Sequence, residues 1–228
     1  MQTLEQLTSP EHSAWITLSQ WIDNARNHCE VIKKDQSSAE RELFTMQMPT
    51  SSPMGAVIYE TGGILIHYGW LRILGSGSFK LPRGLMDWNF SKSFSESGEK
   101  PKYLLVADDV IGGYFALNGG SLGNNIGKIY YYSSKDLTWH NLNFTYTEFL
   151  AWALNGDGEA FYQGLFWKNW QDDVKQLDGN QVFVFTPDLN QDRKIAIDER
   201  QKQEVNIETH YQANFAEKNK FDLAYSVA

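Results

Sequence analysis

The chain contains little cysteine and no long apolar run, and these two absences narrow its class. One cysteine, Cys29, stands among 228 residues, so an internal disulfide bond is impossible. A lone thiol is typical of proteins from a reducing compartment. The longest apolar candidate, residues 62–74, is interrupted by His67 and Arg72 and is shorter than the ~20 residues that cross a bilayer. We therefore expect no membrane partner.

The first residues also lack the pattern of a secretory signal. Such a signal has a basic start followed by an apolar segment, whereas residues 1–6 read MQTLEQ. Together with the single cysteine, this absence predicts that the protein is cytoplasmic.

Basic residues are scarce, with 20 lysines and arginines against 28 acidic residues and a formal net charge of -8. No basic run exceeds two residues, as at Lys33-Lys34. Proteins that bind nucleic acid through its phosphates carry a basic stripe, so we expect no nucleic-acid partner. An acidic surface would instead speed the encounter with a basic protein.

Aromatic residues are plentiful, at 14% of the chain with eight tryptophans. Tryptophan and tyrosine dominate the energetics of protein interfaces, which favours an exposed aromatic contact surface. The alternative is that these rings fill a large core. The chain is long enough for such a core, and its length predicts a single domain over residues 1–228.

The pattern of apolar segments predicts an α+β fold with a mostly antiparallel central sheet flanked by helices. Between residues 62 and 142, short apolar segments alternate with turns rich in glycine and asparagine. Helical spacing of apolar residues precedes and follows this region. Residues 75–102, rich in glycine, serine and proline, are predicted as a mobile loop, and residues 198–217 as a polar C-terminal helix.

A helix is also predicted over residues 159–174, and its apolar residues spread over more than one face. Either this helix is wedged between two layers, or its additional face, which carries Trp167 and Trp170, contacts a partner. Both interpretations stay open, and the two tryptophans are candidate binding residues.

The most distinctive candidate site is a predicted strand that carries Trp70 and Arg72 and ends in a glycine-rich segment. Arg72 alternates with apolar neighbours, which is typical of a charge paired in a cleft. Gly75, Ser76 and Gly77 would let the backbone approach a ligand or a partner closely. The alternative is a buried strand that ends in a flexible loop.

Motifs for catalysis and for metal binding are incomplete in this chain. Residues 119–123 match Gly-x-Ser-x-Gly, but a strand follows where the nucleophile elbow needs a helix. Residues 188–199 match part of a calcium loop, but Arg193 stands where the sharp turn requires glycine, so an acidic turn is the alternative. The five histidines lack ligand spacing. We therefore predict no catalytic residue, no metal and no cofactor.

Several segments resemble known families. Residues 62–77 (GGILIHYGWLRILGSG), with 81–83 (LPR) and 87–89 (DWN), resemble the bacterial family called domain of unknown function 2625, and residues 104–109 (LLVADD) and 127–132 (GKIYYY) agree. That family has no assigned activity, so the resemblance implies no catalytic residues. The second half also resembles the SUKH superfamily, through a hairpin, residues 139–142 (WHNL) and residues 146–150 (YTEFL).

The SUKH resemblance implies an α+β domain that binds proteins, often as a bacterial immunity protein that neutralises a toxin. Our first hypothesis is accordingly a non-catalytic protein-binding module, with a basic toxin domain as one candidate partner. The second hypothesis is an enzyme or a small-ligand binder whose site is built from loops near residues 70–78 and 119–125. Surface tryptophan substitutions would disrupt a complex in the first case, and Arg72→Ala would abolish turnover or ligand binding in the second.

Overall fold

The computed structural model describes residues 1–8, 10–96 and 99–215. The helices and strands follow one another in this order: α1 (Leu4–Leu7), α2 (Trp15–Asp23), β1 (Cys29–Ile32), α3 (Gln36–Met46), α4 (Pro53–Glu60), β2 (Gly63–Ile66), β3 (Leu71–Leu74), α5 (Leu85–Asn89), β4 (Tyr103–Asp109), β5 (Tyr114–Asn118), β6 (Ile129–Ser133), β7 (Thr138–Phe144), α6 (Tyr146–Asn155), α7 (Gly158–Phe161), α8 (Trp170–Gln176), β8 (Gln181–Thr186), β9 (Gln201–Asn206) and α9 (residues 207–215). Within these ranges no helix is both long and apolar enough to cross a membrane.

Strands β1 to β7 form one antiparallel sheet in which every strand pairs with the next one along the chain. Antiparallel neighbours need only short connections. Turns make four of the six connections, whereas α3 and α4 lie between β1 and β2 and α5 lies between β3 and β4. Strands β8 and β9 form a separate two-stranded sheet. The fold class predicted from the sequence, an α+β fold with an antiparallel sheet flanked by helices, is confirmed.

Two neighbouring rows of paired residues cross all seven strands of the large sheet, one on each face, and one of them, the polar row, contains Arg72 and Asp108. Residues that are directly opposite in adjacent strands project from the same face. We call the face that carries this row the front face and the opposite one the back face. The row consists of Glu30, Leu65, Arg72, Asp108, Tyr114, Tyr132 and Trp139.

The two faces are covered by different elements. On the back face Phe115 meets Phe149 of α6, with ring centroids 5.1 Å apart, and α6 contacts α2 and α4. On the front face Tyr114 packs against Tyr211 of α9, and Arg72 donates a hydrogen bond to the carbonyl of Gln181 on β8. The small sheet and α9 therefore lie on the face that carries the polar row.

Side-chain caps determine where several helices begin. Thr145 accepts a hydrogen bond from the Glu148 amide, and the Glu148 carboxylate accepts one from the Thr145 amide, which is a capping box at the start of α6. Asp35 and Ser52 begin α3 and α4 with a simpler cap, in which the side chain accepts one hydrogen bond from a backbone amide of the first turn.

The predicted mobile loop of residues 75–102 is corrected, because this segment contains α5 and several buried residues. Asn89 is fully buried, and its amide exchanges hydrogen bonds of 2.8 Å with both backbone groups of Leu105. Glu42 of α3 accepts hydrogen bonds from the first amides of α5. These tertiary contacts hold a segment whose composition resembles a loop; residues 97 and 98 lie outside the described residues.

The predicted polar helix of residues 198–217 is also corrected. Residues 201–206 form β9, which pairs along its whole length with β8, so that a short 3-10 helix at Ile197–Glu199 and the α-helix of residues 207–215 stand on either side of a strand. Asn206 accepts hydrogen bonds from the Glu208 and Thr209 amides and so begins α9. Backbone pairing with an apolar strand outweighs the helical preference of the polar residues here; residues 216 and 217 lie outside the described residues.

The helix predicted over residues 159–174 is divided into α7 and α8. Gly164 and Asn169 adopt left-handed backbone conformations, with φ of 78° and 64°. Such conformations are incompatible with a continuous right-handed helix. The chain between them turns so that both helices contact the apolar cluster around Trp70.

Candidate functional site

Three buried side chains, Arg72, Arg83 and Asp108, form a charge cluster on the front face of the sheet. Arg72 on β3 and Asp108 on β4 are cross-strand neighbours, and Arg72 Nε donates to Asp108 Oδ1 at 2.6 Å. Arg83, from the segment before α5, donates from Nη1 to Asp108 Oδ2 at 2.6 Å. All three residues are less than a tenth exposed. One carboxylate therefore holds two guanidinium groups.

The two guanidinium groups also fix the segment that leads into the small sheet. Arg72 Nη1 donates to the carbonyl of Gln181 at 2.7 Å, and Arg83 Nη2 donates to the carbonyl of Gly179 at 2.8 Å. Burial lowers the pKa of Arg72 from its usual value, and the attraction of Asp108 opposes that shift. The cluster thus joins three parts of the chain that are distant in sequence.

The cluster carries more positive than negative charge on the front face. Asp109, the next residue of β4, projects to the back face, where it accepts a hydrogen bond from the Tyr131 hydroxyl at 2.8 Å. Among the described residues, Asp108 is the one carboxylate in salt-bridge contact with Arg72 or Arg83. Because a buried charge without a counter-charge is costly, an anion beside this cluster would be stabilised.

A cavity of about 280 Å³ opens beside Arg72. We call it the basic cavity, because Arg72, Lys80 and Lys175 outnumber Glu30 among the charged side chains of its described lining. This balance is opposite to the net charge of the whole chain, which is -8. The apolar part of the lining consists of Leu65, Leu81, Val110, Val174 and Leu177.

The cations at the rim of the basic cavity are held by weak, exposed pairs. Lys80 Nζ lies 2.7 Å from both carboxylate oxygens of Glu30, and both side chains are about half exposed. Lys175 Nζ lies 3.5 Å from Asp172 and 4.7 Å from the centre of the Tyr68 ring. Exposed pairs of this kind contribute about 0–1 kcal/mol, so both lysines can turn towards a ligand.

The aromatic wall of the basic cavity comes from the turn between β2 and β3. Tyr68 has a left-handed backbone, with φ of 63°, and its ring stacks on His28 with centroids 4.1 Å apart. Non-glycine residues in this conformation are uncommon and often occur at binding sites. The turn places Tyr68 against His28, the residue before β1, and both line the cavity together with Lys175.

Trp70 and Arg72, two candidate residues near the start of β3, have different surroundings. Arg72 lines the basic cavity. Trp70 is fully buried, and the rings of Tyr162, Trp167 and Trp170 pack around it at centroid distances of 5.2 to 5.4 Å. Trp70 is therefore part of the core in this structure and is not available to a partner.

The glycine-rich segment after β3 approaches the chain itself. A Cβ atom on Gly75 would lie 2.4 Å from the carbonyl oxygen of Thr61, so only glycine fits there. Both the amide and the hydroxyl of Ser76 donate to that carbonyl at 2.9 Å, and Gly77 has a left-handed φ of 82°. The close backbone approach predicted for Gly75, Ser76 and Gly77 is made to Thr61 and Gly62, between α4 and β2, and not to the basic cavity.

The two tryptophans of the divided helix lie in the apolar cluster around Trp70. Trp167 is buried and donates from Nε1 to Asp173 at 2.5 Å, and Trp170 is half-buried. Their surroundings match the wedged alternative. The most exposed aromatic side chain among the described residues is that of Phe79, at the tip of the turn that precedes Lys80.

Residues 119–125 form an exposed turn between β5 and β6. The side chain of Asn118 holds this turn, since Oδ1 accepts from the Gly120 and Leu122 amides and Nδ2 donates to the Gly123 carbonyl. The basic cavity contains none of these residues. The predicted combination of residues 70–78 with 119–125 does not form around this cavity.

The loop with the partial calcium motif has a cation of its own at its centre. The buried guanidinium group of Arg200 donates at 2.6 to 3.2 Å to five backbone carbonyls, those of Pro187, Asp188, Gln191, Asp192 and Ile195. Within the described part of the chain, no group of three or more His, Cys, Asp or Glu side chains is arranged to hold a metal ion. A folded loop with carbonyls pointing inwards accounts for the motif, and Arg200 occupies its centre.

Four residues that shape the site carry no distinctive signal in the sequence. Lys80 and Lys175 are ordinary surface lysines by pattern, and Arg83 lies in the segment predicted as a loop. Asp108 belongs to an acidic pair that reads as a turn. The alternation of Arg72 with apolar neighbours was the one signal of this cluster, and it predicted a paired charge without naming the partner.

Two sites of different character thus define this α+β protein: a buried cluster with an excess of arginine, and a basic cavity beside it. The chain belongs to the family described as "Protein of unknown function DUF2625", which matches residues 4–210. This bears out the first of the two resemblances seen in the sequence.

The relatives are bacterial proteins. Over 228 residues, all of both chains, this chain is 99% identical to a Haemophilus influenzae protein described as "Uncharacterized protein". Over 189 residues, 83% of this chain and 86% of the other, it is 42% identical to "Putative uncharacterized protein YbfG" of Escherichia coli strain K12. No solved structure matches the chain.

Proposed function

We propose that the protein binds a small organic anion in the basic cavity. The observation that carries this proposal is that Arg72 and Arg83 share one carboxylate while Arg72 lines a cavity with Lys80 and Lys175. A phosphate or carboxylate group is the natural counter-charge for such a set, because it can accept from a guanidinium and two ammonium groups together.

The lining also predicts the rest of the ligand. Leu65, Val110 and Val174 offer apolar surface below the rim, and the Tyr68 ring forms one wall. Pockets of this composition bind ligands with an apolar body and a few oriented polar groups. The volume of about 280 Å³ fits one ring or a short chain with an anionic head.

Binding without turnover is the simpler form of the proposal. Cys29, the lone thiol, lies next to two lining residues, but burial raises its pKa to about 11, which keeps it protonated at neutral pH. A protonated thiol is a poor nucleophile. The charged side chains of the lining, Arg72, Lys80, Lys175 and Glu30, act in this proposal as groups that hold and orient the ligand.

The experiment that tests this function is a titration of phenyl phosphate into the full chain by calorimetry, with phenol as the uncharged control. Lys80→Gln and Lys175→Gln are each expected to weaken binding by up to about fivefold, the worth of an exposed ion pair. Lys168→Gln is the matched control, since Lys168 is exposed and lies outside the described lining of the cavity. Equal binding of phenol, or equal effects of all three variants, would refute the proposal.

A protein partner is the second candidate, and the exposure of Phe79 favours it. This side chain is fully exposed at the tip of a turn, beside Lys80. An exposed aromatic ring is a common anchor in protein interfaces. Such a partner includes the basic toxin domain that the SUKH resemblance implies. Phe79→Ser should then abolish a purified complex, whereas Ile126→Ser, at another exposed apolar residue, should leave it intact.

A further inference from the structure

A second cavity lies where β8, α9 and the turns after β4 and β6 meet. Its volume is about 240 Å³, and it shares no lining residue with the basic cavity. We call it the acceptor cavity, because its polar lining atoms are mostly hydrogen-bond acceptors. The side chains that carry its chemistry are those of Ser134, Asp188, Asn190, His210 and Asn214.

Two of the residues that line this cavity each have a buried polar atom without a hydrogen-bond partner in the described part of the chain. Among the described residues, neither Ser134 Oγ nor Asn190 Oδ1 has a hydrogen-bond partner. Burying a polar atom in this way costs free energy, so buried polar atoms in folded proteins are nearly always paired. Both residues line the same cavity. Neither atom is exposed to the cavity as it stands, so a ligand that donates hydrogen bonds would reach both atoms once the two side chains rotate towards it.

The charge of the acceptor cavity is opposite to that of the basic cavity. Its described lining contains no lysine or arginine, and Asp188 is the one charged side chain in it. His210 contributes no charge at neutral pH, because burial lowers its pKa to about 4. Its Nδ1 lies 2.9 Å from the Tyr114 hydroxyl and its Nε2 lies 3.3 Å from Asn214 Nδ2.

The remaining lining is apolar and partly aromatic. It consists of Ile111, Leu137, Phe183, Phe185 and Leu189, with the ring of Tyr132. A cation with an apolar body suits such surroundings, since aromatic faces attract positive charge. The lysines and arginines that would attract an anion are missing from this described lining.

We propose that the acceptor cavity binds a small organic amine. Asp188 and Asn190 Oδ1 accept hydrogen bonds from the ammonium group, and the Ser134 hydroxyl, which can accept as well as donate, completes the set. The apolar body lies against Phe185 and Leu189. This site does not rest on the anion-binding function, because the two cavities have no lining residue in common.

The first test compares three probes of one size in the full chain at pH 7: benzylamine, benzyl alcohol and benzoate. Their binding is followed by NMR chemical-shift changes, with resonances of residues 188–190 and 210–214 as reporters. Benzylamine should bind, benzyl alcohol should bind more weakly, and benzoate should not bind at these residues. Binding of benzoate as tight as that of benzylamine, or no binding of benzylamine, would overturn the proposal.

Two variants test the location with matched controls. Asp188→Asn should weaken benzylamine binding by up to about fivefold, whereas Asp192→Asn, in the same loop but outside the described lining, should not. Ala213→Trp should abolish detectable binding, because this exposed residue of α9 lines the cavity. Its neighbour Gln212→Trp is the control for adding a tryptophan to the helix. If Ala213→Trp binds benzylamine as the unmodified chain does, the site lies elsewhere.

Discussion

The buried guanidinium groups of this protein are satisfied in two different ways. Arg72 and Arg83 share the carboxylate of Asp108, whereas Arg200 is surrounded by backbone carbonyls. Carbonyl dipoles stabilise a cation without adding a negative charge, so the Arg200 loop is closed and self-sufficient. The shared carboxylate leaves positive charge in excess, which is why we place the anion site at Arg72.

At the residue scale, Arg200→Gln is expected to destabilise the loop of residues 187–195. The substitution removes donors from carbonyls that are turned inwards, and buried unsatisfied groups cost about 1–3 kcal/mol each. The free energy of unfolding, measured by urea denaturation, should fall by roughly 3 kcal/mol. Arg193→Gln, at an exposed position of the same loop, should change it by less than about 0.5 kcal/mol.

The melting temperature in the presence of calcium gives a second test of the same loop. Because Arg200 fills the centre, calcium chloride should not raise the melting temperature of the unmodified chain beyond the effect of magnesium chloride. A calcium-specific rise would contradict the assignment of Arg200 to the position of the ion.

A second prediction at the residue scale concerns Glu42. Burial raises the pKa of this carboxyl from 4.5 to about 8, with the charge of Asp87 a smaller cause in the same direction. Between about pH 4.5 and 8 the folded state therefore holds a proton that the unfolded chain has released. The free energy of unfolding should fall as the pH rises through this window.

Glu42→Gln keeps an acceptor oxygen for the Met86 amide, the closer of the two at 2.6 Å, loses the 3.3 Å contact with the Asp87 amide and cannot ionise. The decrease in unfolding free energy between pH 6 and 8 should consequently be smaller in this variant than in the unmodified chain. Glu40→Gln, on the same helix, is the control and should retain the decrease. An identical pH profile for Glu42→Gln would contradict the raised pKa.

At the element scale, α5 packs closely against α3 at Glu42. A Cβ atom on Gly84, the residue before α5, would lie 2.5 Å from Glu42 Cδ. The helix is short and its first amides depend on the Glu42 carboxylate, so its position follows from α3 and not from its own sequence. The same contact places Arg83 beside Asp108, which connects the helix to the charge cluster.

Gly84→Ala tests this contact. The added methyl group should cost about 1–3 kcal/mol in the free energy of unfolding, the usual cost of overpacking. In a Glu42→Ala background the methyl group has room, so its cost should be smaller, and a double-mutant cycle measures the difference. Equal costs in both backgrounds would indicate that the contact does not exist in solution.

These elements also show which parts of the fold could be predicted from sequence patterns. The meander from β2 to β7 was predictable, because each strand has its own apolar segment and turn-forming residues separate the strands, such as Gly112 and Gly113 after β4 or Asp136 after β6. Strand β9 was not, since its residues are polar and it forms by pairing with β8. Helix α5 was not predictable either. Its first turn is stabilised by a hydrogen bond from the Met86 amide to Glu42, which lies 44 residues earlier in the chain.

At the scale of the whole molecule, an acidic protein of net charge -8 contains a cavity with an excess of cations. The arginines of the adjacent cluster also join the large sheet to the carbonyls of Gly179 and Gln181, which lead into the small sheet. The anion binding that we propose and the packing of the two sheets would therefore both involve Arg72.

Asp108→Asn tests this dependence. Removing the carboxylate leaves the guanidinium groups of Arg72 and Arg83 buried without a counter-charge, which should cost about 3–5 kcal/mol in the free energy of unfolding. Sodium sulfate should raise the melting temperature of the variant more than that of the unmodified chain, beyond the effect of sodium chloride at equal ionic strength.

The control for this variant is Asp87→Asn, which breaks the exposed pair with Arg41 at 2.9 Å and should cost less than about 1 kcal/mol. Two variants of equal stability would contradict the view that Asp108 neutralises a buried cluster. A sulfate effect no larger than that in the unmodified chain would contradict the excess of positive charge.

The amino-acid sequence by itself determined the fold class, the antiparallel order of the central strands, the family and the acidic character of this protein. The fold class, the strand order and the acidic character depend on local alternation, turn residues and composition, all of which are local or additive, whereas the family followed from the resemblance of short segments such as residues 62–77. Only the tertiary structure decided that Arg72 meets Asp108 and Arg83, that Lys80 and Lys175 face one cavity, and that Trp70 belongs to the core. Cross-strand register and burial bring together residues that are far apart in the chain, and no local pattern encodes such distances.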